Sequence, residues 1–79
     1  KIKMKVKVLS PIIPNPNAST INDATLVRVV ATSSTTVLIA GEVNGEVRVP
    51  ANGVVDIVKY AADVLTCPTS DCTKIAYTA

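Results

Sequence analysis

Residues 36–59 read TVLIAGEVNGEVRVPANGVVDIVK, and two turn signals divide them into strands. Asn44-Gly45 stands between Gly41-Glu42-Val43 and Glu46-Val47-Arg48-Val49. Both turn residues tolerate the positive φ that a type I′ hairpin turn needs, so the sequence predicts a hairpin centred there. Pro50-Ala51-Asn52-Gly53 predicts a second turn, with Pro fixing φ and Gly supplying freedom. Val54 to Lys59 then forms the next strand. Thr36 to Ala40 is apolar on both faces, which places it centrally in a sheet.

The same pattern extends outward. Thr25 to Ala31 is a strand, and Thr32-Ser33-Ser34-Thr35 is a polar turn. Tyr60 to Thr66 fits either one helical turn or a loop, and Cys72 to Thr78 closes the chain as a strand. Closely spaced turns with no long helical pattern predict an all-β fold, a small β-sandwich or barrel of about six short strands.

Ahead of this body, Lys1-Ile2-Lys3-Met4-Lys5-Val6-Lys7-Val8 alternates strictly. Ile2, Met4, Val6 and Val8 share one face of a strand; Lys1, Lys3, Lys5 and Lys7 share the other. Pro11, Pro14 and Pro16 follow among Asn and Ser, a composition that forbids a helix and favours a stiff connection. The expected organisation is an N-terminal β arm (1–9), a proline-rich linker (10–23) and a compact body (24–79). The arm carries +4, whereas the rest sets four bases against six acids, a net −2. An arm that the linker projects can lie on a neighbouring subunit, adding a strand to its sheet edge while the lysines meet acids. The plainer reading of the lysines is a solvated face that discourages unwanted edge pairing.

Composition narrows the function. The chain has 79 residues, no Phe, no Trp and two Tyr. So short a chain buries only about 60% of its unfolded surface, so partners or staples matter for its stability. Small β-branched side chains suit thin sheet packing. They poorly suit an aromatic-walled ligand pocket or a stacking platform for single-stranded nucleic acid. A mildly acidic body also argues against nucleic-acid binding. There is no apolar run long enough for a membrane helix and no continuous apolar core of a signal peptide.

Few residues offer chemistry. Without His there is no Ser-His relay, and two Cys alone cannot complete a structural zinc site. The six carboxylates are spread singly, with no acid/base pair or calcium loop. Arg28 and Arg48 lie within strands, where a solvent-facing position is ordinary. Cys67 and Cys72 enclose Pro68-Thr69-Ser70-Asp71. They form either a disulfide across a tight loop, worth roughly 2 kcal/mol by loop entropy, or two reduced thiols. Asn17-Ala18-Ser19 matches the glycosylation triplet, a common chance match. The reading is of a protein that is not an enzyme and needs no cofactor.

From Ala24 onward the chain resembles small β-rich structural proteins of tailed bacteriophages, particularly marine phages of cyanobacteria. The likeness lies in Ala24-Thr25-Leu26-Val27-Arg28-Val29-Val30-Ala31-Thr32-Ser33, in Thr36-Val37-Leu38-Ile39 and in Val47 to Lys59. It continues through Ala62-Asp63-Val64-Leu65-Thr66 and Thr73-Lys74-Ile75-Ala76-Tyr77-Thr78. The lysine-rich arm and the Cys67–Cys72 loop depart from it. The resemblance implies a virion protein assembled in the host cytoplasm and present in many copies. It would act by contact with a major capsid protein or tail subunits. A capsid decoration (cement) protein comes first, a tail, neck or fibre component second. From a different class, a secreted or surface-displayed β-sandwich binding module would carry a formed Cys67–Cys72 disulfide and be stable as a monomer.

Overall fold

The computed structural model describes residues 5–78. Eight strands are present and, among the described residues, no helix. They are β1 (Lys5–Val8), β2 (Ile13–Pro14), β3 (Leu26–Ala31), β4 (Thr35–Ala40), β5 (Gly45–Val49), β6 (Val54–Val58), β7 (Val64–Thr66) and β8 (Ser70–Thr78). One antiparallel sheet runs β1-β8-β3-β6, with β2 also on β8; the other runs β5-β4-β7. The fold class is therefore the expected all-β one, with two strands more than the sequence marks: β2 inside the proline-rich stretch and β7 inside Tyr60 to Thr66.

The inner faces of the sheets meet in a core of small side chains. Val27, Val29, Val37, Leu65, Cys67 and Cys72 are fully or almost fully buried there. Ile21 joins them from a loop. It and its neighbours Asn22 and Asp23 hold φ of 54°, 55° and 57°. A left-handed φ is costly for a β-branched residue. Complete burial of the Ile21 side chain offsets that cost.

Residues 5–15 do not project from the body. β1 pairs with β8 from Lys5↔Thr78 to Val8↔Ile75, and β2 pairs with β8 at Ile13↔Cys72 and Pro14↔Asp71. Between them Leu9 N–H donates to Lys74 O at 2.8 Å, and beyond them Asn15 N–H donates to Ser70 O at 2.7 Å. The stretch is one bulged edge strand. Proline is tolerated at such an edge because the missing N–H faces away from the ladder. The chain then crosses to the smaller sheet, where Ser19 and Leu65 exchange two hydrogen bonds. The N-terminal segment thus closes one side of the sandwich. The intrachain edge strand replaces the expected projecting arm because β8, nine residues long, offers a second edge on the side opposite β3. Lys1, Ile2, Lys3 and Met4 lie outside the described residues.

Both predicted turns are built differently. β4 runs on to Ala40, and Ile39 pairs with Gly45, so the connection is the four residues 41–44 rather than a tight Asn44-Gly45 turn. Gly41 takes the positive φ, 148°. The Asn44 side chain closes the loop, accepting from Gly41 N–H and donating to Gly41 O, both at 3.3 Å. In the second turn the left-handed residue is Asn52, φ 62°, not Gly53. β4 is central, as its apolar pattern predicts, but in a sheet of three strands.

Candidate protein-binding face

Side chains that pair across an antiparallel ladder share a face. In the larger sheet Val27, Val29, Val55 and Ile57 therefore point inward, and Arg28, Val30, Val54, Asp56 and Val58 point outward. On β8 the outward row is Asp71, Thr73, Ile75 and Tyr77, with Ile75 and Tyr77 continued onto β1 by Val8 and Val6. An antiparallel sheet with one solvated face ordinarily carries polar residues there. This face instead exposes Val6, Val8, Val30, Val54, Val58 and Tyr77, with Val58 80% and Val8 66% accessible. Ile75, opposite Val8, is 3% exposed yet stands apart from the main core. The outer face thus has a small buried centre of its own.

A polar network sits in this apolar field. Arg28 Nε and Nη2 donate to Asp56 Oδ1 and Oδ2, each at 2.9 Å. Tyr77 O–H donates to Asp56 Oδ2, and Arg28 Nη2 donates to Tyr77 Oη at 3.4 Å. Three strands supply the three side chains. The Arg28 fork holds the Asp56 carboxyl below its ordinary range, with the Tyr77 hydroxyl adding to the effect. The Tyr77 hydroxyl is pushed up, chiefly by its bond to Asp56. The charges cancel locally, and an aromatic and an arginine at the middle of an apolar patch match the make-up of protein interfaces. The sequence reading placed Arg28 on a solvent face but missed its partners. Their adjacency depends on strand register, which the alternation pattern leaves open.

The remaining notable groups brace the fold. Lys59 is 5% exposed, and its Nζ donates to the carbonyls of Tyr60, Ala61 and Asp63 at 3.2, 3.3 and 2.8 Å. Burial pushes its pKa down, while the Asp63 and Asp23 charges oppose that. Asp63 is 1% exposed; Oδ1 accepts from Glu42 N–H at 2.8 Å, and Oδ2 has no hydrogen-bond partner among the described residues. Lys59 and Asp63 together tie the loop before β7 to the loop before β5.

Cys67 and Cys72 are free thiols, both fully buried in the core rather than in an exposed loop. The two thiols interact. Cys72 is pushed far up by its bond to the Cys67 sulfur and by burial, while that bond lowers Cys67. Of the arm residues described, Lys5 and Lys7 are exposed and Val6 and Val8 belong to the outer face.

Where the two sheets part on the side away from the N-terminal segment, a cleft of about 300 Å³ opens between β5 and β6. Val37, Ile39, Val47, Val55 and Ile57 line it together with Glu46 and Asp56. Valines are too short to close the gap between sheets, and the chain has no Phe or Trp to do so. Among the described residues no group of three His, Cys, Asp or Glu side chains could hold a metal ion.

The chain matches no protein-family model, and neither a curated protein nor a solved structure is significantly similar to it.

Proposed function

We propose that the protein is a structural subunit of a tailed-phage virion, first a capsid decoration protein and second a tail, neck or fibre component. It works by adding contact area. The observation that carries this reading is the apolar outer face of the larger sheet, centred on the neutral Arg28–Asp56–Tyr77 network. The resemblance of the body to small phage structural proteins supplies the virion. Four strands about 4.8 Å apart, each about five residues long, cover roughly 19 by 17 Å. That footprint is well below the ~800 Å² per partner of a stable pairwise interface. A single contact of this size is weak, and repetition on a symmetric lattice would multiply it.

The test is mass spectrometry of purified particles of a phage that encodes the chain, with and without Val30→Glu. Val30 is on the outer face and 37% exposed, so the variant should keep its fold. The expected result is many copies per particle, lost with the variant. Absence of the wild-type chain from particles overturns the reading. The surface-displayed binding module predicts a Cys67–Cys72 disulfide in protein taken from its source, and two free thiols there oppose it.

A further inference from the structure

We infer that β6 is a self-pairing edge, through which two copies of this chain join by antiparallel strand addition about a two-fold axis at Asp56. The inference deepens the assembly reading and rests on it only in requiring that the chain works in more than one copy. Antiparallel ladders alternate between hydrogen-bonded and non-bonded pairs. Lys59 N–H donates to Thr25 O at 3.0 Å and Ala31 N–H to Gly53 O at 2.9 Å, which fixes the phase. Residues 53, 55, 57 and 59 turn their backbone groups to β3. Val54, Asp56 and Val58 turn theirs to the open edge.

The other edges of the sandwich are guarded. β1 carries Lys5 and Lys7, β5 carries Glu46 and Arg48, and β7 is three residues long and bonded to Ser19. Charges and short length are the usual protections of an edge. β6 reads Val-Val-Asp-Ile-Val, and its one charge is cancelled by Arg28. It is an unprotected template.

The two-fold register satisfies every outward group. Val54 faces Val58 of the second copy, Val58 faces Val54, and Asp56 faces Asp56, each pair exchanging two backbone hydrogen bonds. Val54 and Val58, 58% and 80% exposed on the outer face, cover one another, and on the inner side Val55 meets Ile57 at the mouth of the cleft. Like charges directly opposite would oppose this pairing. The bidentate grip of Arg28 neutralises each Asp56 carboxylate and draws it toward β3, away from the axis. The joined sheet is eight strands across, with β2 in line with β1 at each outer edge, and its outer face is twice as wide.

Sedimentation equilibrium of the full chain, from about 1 µM to about 1 mM, reads the association. A monomer–dimer equilibrium is expected, with Val58→Lys weakening it at least about tenfold, since an edge lysine blocks pairing, while the melting temperatures agree at a dilution where both proteins are monomeric. The double variant V54C/V58C fixes the register. With oxidised glutathione it should give a covalent dimer by thiol–disulfide exchange, each new intersubunit bond releasing two molecules of reduced glutathione. The two positions are about 13 Å apart within one chain, beyond the ~7 Å limit for a disulfide, so the bond must cross between copies. A monomer throughout the range, a dimer indifferent to Val58→Lys, or one abolished by deleting residues 1–9 instead overturns the inference. Each result leaves the particle content, and so the assembly reading, to its own test.

Discussion

Arg28 and Asp56 stand directly opposite one another on β3 and β6, and two parallel hydrogen bonds of 2.9 Å join them on the outer face. The pair is partly exposed, with side-chain accessibilities of 34% and 23%. Its contribution is therefore damped by solvent. Its pH dependence is nonetheless distinctive. The folded Asp56 pKa lies below the ordinary value of 3.8, so the folded state binds fewer protons than the unfolded one. The stabilisation is complete above about pH 4 and is lost as pH falls through the folded pKa. Thermal melts of wild type and Asp56→Asn should differ at pH 7 and converge toward pH 2; a constant gap would remove Asp56 from the acid response.

Gly41 packs against Asp63, where an added Cβ would overlap the carboxylate. Its φ of 148° also lies in a region that only glycine adopts cheaply. Gly41→Ala should cost at least ~1–3 kcal/mol from the backbone alone. Denaturant titration measures it, and a loss under ~0.5 kcal/mol would show that the loop relaxes freely.

Lys59→Met keeps the stem and removes the ammonium. Three carbonyls lose their donor, and the buried Asp63 loses the nearby cation. A loss of about 1–3 kcal/mol is expected. Hydrogen exchange should rise first at Leu65 and Glu42, whose amides depend on the loops this lysine holds.

The thiols of Cys67 and Cys72 are shut inside the core. An aromatic disulfide reagent should label neither promptly in native protein and both in denaturant. Rapid native labelling would contradict their burial, because only an accessible thiolate reacts.

Removing residues 1–9 strips β1 from β8 and uncovers Ile75. Exposing that side chain should cost about 1.5–3 kcal/mol. The measurement is the melting temperature of the two forms. Equal melts would mean that β1 adds nothing to its own body and that its lysine ladder has another use.

What the sequence disclosed and what it hid follow from the range of the forces involved. Alternation at Lys5 to Val8 and the Val-rich runs at 25–31, 36–40 and 54–59 are local, and each is a strand. Asn44-Gly45 misled because a longer β4 with an Asn-closed loop sets Val37 and Val49 on the inner face, both buried in the core, and core burial outweighs turn preference. β2 and β7 were invisible because two- and three-residue strands carry no period. The outer apolar face was half legible: the valines are plain in the sequence, but which of them share a surface with Arg28, Asp56 and Tyr77 depends on register.

β8 follows the other seven strands in the chain, yet it borders β1, β2 and β3 at once. Until it emerges, the N-terminal segment has no ladder and the larger sheet is only the β3–β6 pair. The fold cannot grow from its beginning. It assembles around β8 once that strand is available, as expected for slow, long-range pairing. A chain without β8 would lose not a flanking strand but the seam of the molecule.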